Sequence, residues 1–354
     1  MRRARGMKLA ALAIAGSLAL AACASDEPAS GSGGSGSSGG SGDGPKIGLA
    51  YDTGGRGDKS FNDSAYAGVE AAIETNGGTV QEVSPNSDAS DRADLLTQLA
   101  DQGYNPVIAV GFAYGDVIGD VAKQYPDVDF AIVDSTGVDV ADNVTGLQFA
   151  ANQGSFLGGV AAATKSTTGN VGFVGGVETP LIQAFEAGYV AGAKAVNPDI
   201  TVQVQYISPA GDFSGFNDPA RGQIVAQGMF DAGADIVYAA AGGSGIGVFQ
   251  AAAASGGRAI GVDSDQYETV GDASLQAVIM TSVLKRVDNA VEAYIGTFVD
   301  GSVQGGQDVV NDLSTEGVGL SYSGGFIDDI KSTIDDYTQQ IVDGEITVPE
   351  TPTN

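Results

Sequence analysis

The stretch Lys46-Ile-Gly-Leu-Ala-Tyr-Asp-Thr-Gly-Gly-Arg-Gly-Asp-Lys-Ser-Phe-Asn-Asp63 decides the fold. Ile47 to Tyr51 is an apolar run of strand length. Beyond the loop, Val69, Ala72 and Ile73 fall on one helical face. The order is therefore strand, glycine loop, helix. Gly54, Gly55 and Gly57 permit positive φ and close approach of another molecule, and the helix that follows offers unpaired N–H groups at its start. Such a loop is suited to holding a ligand.

The same unit recurs along the chain. Apolar strand candidates at Lys46–Tyr51, Val107–Val110, Phe130–Val133, Ile236–Ala239, Ala259–Val262 and Gln276–Thr281 alternate with helical stretches such as Phe61–Asn76 and Val283–Val299. Repeated β-α-β with apolar strands predicts α/β architecture, parallel sheets doubly wound by helices on both faces. Ligands in that class sit beyond the carboxyl ends of strands. Asp52, Phe112, Asp134, the glycines around Gly243, and Asp263 all follow strand candidates, the pattern of a cleft between two similar lobes.

A chain of 354 residues is long enough for two core-forming domains. Arg2, Arg3, Arg5 and Lys8 precede an apolar segment from Leu9 to Ala19, too short to span a bilayer, and read as an export signal over residues 1–22. Leu20-Ala-Ala-Cys23 resembles the lipobox of bacterial lipoproteins. Cys23, the single cysteine, is then lipidated, and the Gly/Ser-rich segment 23–44 is a flexible tether. The expected location is the extracytoplasmic face of the cell membrane. The formal charge is −28, and loss of the four basic signal residues makes it −32, which disfavours nucleic acid as a partner. No histidine is present, which excludes imidazole-dependent triads and most zinc sites.

Motif by motif, catalysis finds little support. Lys59-Ser60 ends like a phosphate-binding loop, but Asp58 stands where glycine should precede the lysine. Gly242-Gly-Ser-Gly-Ile-Gly247 departs from the dinucleotide fingerprint at Val248, and Ile246 replaces the second glycine of a nucleophile elbow. Asp263-Ser-Asp265 lacks the third acid and the glycine of a calcium loop. No metal or cofactor is expected. A carboxylate at a strand end can instead accept hydrogen bonds from vicinal hydroxyls, and Lys285, read as the start of a helix, can reach the same cleft. Phe61 and Phe216 lie in polar surroundings, each either a core staple at a helix start or a stacking plate.

From Lys46 to Gly325 the chain resembles the basic membrane protein family of bacterial substrate-binding lipoproteins, which includes purine-nucleoside receptors of ABC transporters. The resemblance is carried by Asp58-Lys-Ser-Phe-Asn62, Val171-Gly-Phe-Val-Gly-Gly-Val-Glu-Thr-Pro180 with Phe185-Glu-Ala-Gly188, Phe216-Asn-Asp-Pro219, Ala241-Gly-Gly-Ser-Gly-Ile-Gly-Val248, Ile260-Gly-Val-Asp-Ser-Asp-Gln266 and Ser282-Val-Leu-Lys285. It implies the type I periplasmic-binding fold, two lobes hinged by crossings near Gln148–Asn152, Gln276–Thr281 and Gly301–Gln307. It also implies a base stacked between Phe61 and Phe216, ribose hydroxyls held by Asp263 and Lys285, base edges met by Asn62 and Asp134, and a cleft lined by Asp52 and Gly243. The loop Ser208–Gly215 departs from the family and offers Phe213 as a rival plate.

The expected organisation is one lobe from 45–150 with 277–303, a second from 151–276 with 304–345, and a tail at 346–354. The expected function is a monomeric nucleoside receptor, purine by preference, delivering its ligand to an ABC permease without chemistry. The alternatives are a sensor lipoprotein for a sugar-like or signalling ligand and a nucleoside hydrolase, the latter on the faint likeness of Asp52-Thr-Gly-Gly55 to an aspartate-rich start.

Overall fold

The computed structural model describes residues 44–352 apart from Ser87; the signal segment, Cys23 and nearly all of the tether lie outside the described residues. The first half runs β1 (Lys46–Ala50), α1 (Phe61–Asn76), β2 (Thr79–Val83), α2 (Arg92–Asp101), β3 (Val107–Ala109), α3 (Gly115–Gln124), β4 (Phe130–Val133) and β5 (Val144–Phe149). The chain then continues as α4 (Ala151–Lys165), β6 (Asn170–Val177), α5 (Pro180–Val196), β7 (Thr201–Ser208), α6 (Pro219–Asp231), β8 (Ile236–Ala240), α7 (Gly245–Ser255) and β9 (Arg258–Asp263). Last come α8 (Gln266–Thr269), α9 (Ala273–Gln276), β10 (Ile279–Lys285), α10 (Val287–Val299), β11 (Gln307–Asn311), β12 (Val318–Leu320) and α11 (Lys331–Val342). Among the described residues no helix is long and apolar enough to cross a membrane.

Two six-stranded sheets form, with orders β11-β5-β4-β3-β1-β2 and β12-β10-β9-β8-β6-β7. All pairings are parallel except β10 with β12. This is the expected doubly wound class, and the two orders correspond strand for strand. Burial on both faces is visible in the alternation of β3 and β4. Ile108, Ala131 and Val133 pack with Val69 and Val291 on the α1/α10 side, while Val107, Phe130 and Ile132 pack with Leu96 and Ile118 on the α2/α3 side. Each fully buried Val, Leu, Ile or Phe side chain among these contributes about 1.5–3 kcal/mol.

Glycine serves helix contact as much as turns. A methyl group at Gly188 of α5 would lie 2.1 Å from the Asn152 carbonyl oxygen of α4, and one at Gly68 of α1 would lie 2.2 Å from that of Asp288 in α10. These helices touch backbone to backbone.

Sheet membership differs from the expected partition. β10 pairs with β9 from Ile279↔Ala259 to Leu284↔Asp263, so Ile279–Lys285 belongs to the second sheet. β11 pairs with β5 and belongs to the first. The chain therefore crosses at Phe149–Ala151 as expected, but its other crossings lie at Lys285–Val287 and between Asn311 and Val318. Gln276, expected to begin a strand, instead ends α9, whose cap is Asp272, and its Nε2 donates to the Tyr267 carbonyl. α10 packs on α1, so only 287–311 of the C-terminal third builds onto the first lobe.

Candidate ligand-binding cleft

Between the carboxyl ends of the two sheets lies a cleft of roughly 530 Å³, counting the open solvent at its mouth. The first lobe lines it with Asp52, Thr53, Asp58, Phe61, Asn62, Phe112 and Asp134. The second contributes Phe185, Phe216, Gly242, Asp263 and Lys285, among others. Seven of the eight residues expected to hold ligand, Asp52, Phe61, Asn62, Asp134, Phe216, Asp263 and Lys285, are thus gathered at one place. Gly243 stands just behind the lining, and its neighbour Gly242 faces the cleft.

The glycine loop is organised by Asp58. Its carboxylate accepts the backbone N–H groups of Ser60, Asn62 and Asp63 at 3.0, 2.8 and 3.1 Å, together with Asn62 Nδ2 at 3.1 Å. The amides at the start of α1, which would cradle a phosphate, are occupied by the chain's own anion. Burial pushes the Asp58 carboxyl up to about 6, against the opposing pull of those N–H groups. Asn62 is committed at both ends, since its Oδ1 also accepts the Asp52 N–H at 2.9 Å, leaving one Nδ2 hydrogen uncommitted.

Asp52 accepts the Thr53 N–H and Arg92 Nη2 on Oδ1, at 2.8 and 3.1 Å. Burial raises its pKa, and the Thr53 N–H and the Arg92 guanidinium only partly oppose this. Arg92, buried to 7% exposure at the start of α2, escaped the sequence reading because an arginine in a first helical turn looks like a surface residue.

Asp134 and Asp263 both sit at strand ends in the left-handed region, with φ of +65° and +62°. Aspartate tolerates that region better than most residues, and strained backbone of this kind gathers at binding sites. Lys285 is the last residue of β10, not part of the opening turn of a helix. Its Nζ donates to Asp134 Oδ2 at 2.5 Å with both side chains 4% exposed. The ammonium lies 4.6, 5.4 and 5.5 Å from the ring centres of Phe61, Phe149 and Phe185. Asp263 accepts Ser60 Oγ from the opposite lobe at 2.5 Å. Burial raises its pKa, with Lys285 and Ser60 pulling it down and Asp134 adding to the rise.

Further bonds across the cleft join Ser264 Oγ to the Ser60 carbonyl at 2.8 Å and Gln266 Nε2 to the Lys59 carbonyl at 3.0 Å. The lobes are closed on one another. Of the two rival aromatics, Phe216 lines the cleft, whereas Phe213 packs on Phe112 with ring centres 6.0 Å apart. Phe112 and Phe185 are lining aromatics that sequence reasoning did not select as binding residues. Phe112 was legible only as a residue after a strand, and Phe185 only as the start of the family motif Phe185-Glu-Ala-Gly188.

The arrangement suits a neutral, flat, hydroxyl-bearing molecule: aromatic walls, buried carboxylates as acceptors and a single lining cation. Comparison with known proteins agrees with a receptor. Residues 46–352 match the family described as ABC transporter substrate-binding protein PnrA-like. An ABC transporter nucleoside-binding protein from Lactococcus lactis is 36% identical over 98% of this chain and 99% of its own length. A CD4+ T-cell-stimulating antigen from Listeria monocytogenes is 39% identical over 86% of this chain and 88% of its own. Among solved structures, an ABC transporter solute-binding protein from Aeropyrum pernix K1 aligns with a TM-score of 0.76 at 27% identity, covering 88% of this chain and 94% of that one. The chain therefore belongs to the PnrA-like family of ABC transporter substrate-binding proteins, which carry a small molecule to a permease and are not enzymes.

Proposed function

We propose that the chain is a lipid-anchored nucleoside receptor that selects purine nucleosides and hands them to its permease as a monomer. The observation that carries this reading is the pairing of Phe61 and Phe216, from opposite lobes, on one cleft with Asp263 and Lys285 at its base. A base stacks between the rings, and the ribose hydroxyls donate to Asp263 and accept from Lys285. Asp134, with Oδ1 buried and unpartnered, and Asn62, with its remaining Nδ2 hydrogen, meet the edge of the base. Asp52 and the backbone at Gly242 complete the walls, with Gly243 directly behind. The name of the Lactococcus lactis relative supports the ligand class. The lipid is placed at Cys23 by Leu20-Ala-Ala-Cys23.

Calorimetric titration with inosine, guanosine, adenosine, uridine and cytidine tests the ligand. Purine nucleosides are expected to bind most tightly, and absence of heat with all five would end the nucleoside assignment. Mass spectrometry of the protein from bacterial membranes tests the anchor, with a diacylglyceryl mass on a chain beginning at Cys23 as the expected result.

A further inference from the structure

Phe213 touches neither the cleft nor the core of its own lobe's sheet, yet its position is firmly set. It opens a 3-10 turn, Phe213–Phe216, whose first carboxylate, Asp212, accepts the Ser214 N–H at 3.1 Å and Ser214 Oγ at 2.6 Å. Ser244 Oγ donates to the Gly215 carbonyl at 2.8 Å. A methyl group at Gly215 would lie 2.1 Å from the Gly176 carbonyl oxygen, so the turn is seated directly on β6. The loop is thus a rigid part of the second lobe. From it the Phe213 ring reaches the first lobe, where it lies 6.0 Å from the Phe112 ring and 4.9 Å from Arg92 Cζ. Arg92 cannot follow it elsewhere, because its guanidinium is tied to Asp52 and lies 5.5 Å from the Tyr114 ring.

We propose that Phe213 is the gate of this receptor, an aromatic latch that docks on Arg92 and Phe112 only when the lobes are shut and so sets how fast bound ligand escapes. Ligand enters an open cleft, in which the latch contacts do not exist, and leaves only after they are broken. Their loss therefore raises the dissociation rate and spares association. Because Phe213 does not line the cleft, the effect is the same for every ligand. That separates a latch from a stacking plate, whose loss depends on what is stacked. The inference rests on the receptor function shared with the family, and nucleosides enter only as probes.

The test is release of radiolabelled inosine from the purified protein after a chase with excess unlabelled inosine. Phe213→Ala is expected to speed release about tenfold, the worth of one aromatic pair plus one cation–π contact, with association changed less than twofold. Phe213→Tyr, which retains both contacts, is expected to release at close to the native rate. The same ratio between variant and native protein is expected with guanosine. Unchanged release from Phe213→Ala, or a ratio that differs severalfold between the two nucleosides, overturns the latch. Should native protein bind no inosine, the nucleoside reading fails separately. Solution X-ray scattering without ligand then decides where the native protein has the radius of gyration of the closed form: a larger radius for Phe213→Ala supports the latch, and an equal radius overturns it.

Discussion

Asp134 and Asp263 stand at the same place in the two lobes. Each closes the third strand of its sheet, β4 in one and β9 in the other, and each adopts a positive φ. Each also reaches across to the opposite lobe, but Asp134 meets the ammonium of Lys285 whereas Asp263 meets the hydroxyl of Ser60. The repeated fold dictates where a carboxylate can point, and the partner supplied by the other lobe dictates what it can do. The pair with a full charge on both sides holds the lobes together. The pair with a neutral partner leaves its carboxylate freer to meet hydroxyls.

The largest expected effect tests the charged side of this contrast. Lys285→Met leaves Asp134 and Asp263 buried without a cation, and removing one partner of a buried pair typically costs about 3–5 kcal/mol. Urea unfolding is expected to show a loss in that range, together with loss of measurable nucleoside binding. A change below about 1 kcal/mol would mean that solvent already screens the pair, and the distinction between the two aspartates would collapse.

The next effect concerns Asp58, in the turn after β1; the corresponding turn after β6 in the second lobe carries no buried carboxylate in that role and is capped by Thr179, whose hydroxyl accepts the Ile182 N–H. Its carboxyl is raised from the ordinary 3.8 to about 6. The folded state therefore holds this proton more tightly than the unfolded chain does. The associated stability is fully present below the unfolded value and is lost as pH rises through about 6, a change of about 3 kcal/mol for this group alone. Burial of Asp52 and Asp263 works in the same direction. Unfolding free energies measured between pH 4 and 7 are expected to slope less in Asp58→Asn than in the native chain. Parallel slopes would show that the three N–H donors already compensate burial, making the two lobes electrostatically alike.

What the residues disclosed in advance follows the same division. The strand, loop and helix from Lys46 to Asn76 were legible because an apolar run, a glycine cluster and a 3.6-residue period are all local signals. So were Asp52, Asp134 and Asp263, which follow strands. Partners were not legible: Arg92 meets Asp52 across 40 residues, and Ser60 meets Asp263 across 203. The hinge was misplaced for a local reason. Val283-Leu-Lys285 continues β10 in the second sheet, although the same residues fit the opening turn of a helix. β11, Gln-Asp-Val-Val-Asn at a sheet edge, has Val309 and Val310 at least half exposed and lacks the buried pattern that marks a strand. The resemblance to a family brought Phe61 and Phe216 together, which neither spacing nor composition could do.

A smaller effect sharpens the comparison at the level of the walls. Phe61 opens a helix of the first lobe and Phe216 closes a turn of the second, where its ring leaves no room for a methyl group on Gly176. If both stack on one base, Phe61→Ala and Phe216→Ala should each weaken inosine binding by about 1–3 kcal/mol in calorimetry. A loss confined to one of them would make the other a passive core residue and the cleft one-sided.

The smallest expected effect on stability returns to Asp263. Asparagine accepts a positive φ and can still take the Ser60 hydroxyl as donor, so Asp263→Asn should change the unfolding free energy by no more than about 1 kcal/mol. Its effect on binding should be selective. A ribose hydroxyl loses a charged acceptor, so inosine should weaken about tenfold or more, while hypoxanthine, which has no ribose, keeps its affinity. Equal losses for nucleoside and free base would remove Asp263 from the sugar and assign it, like Asp134, to the base or to the closure of the lobes. The two aspartates would then share function as well as position, and Lys285 alone would be left to meet the ribose.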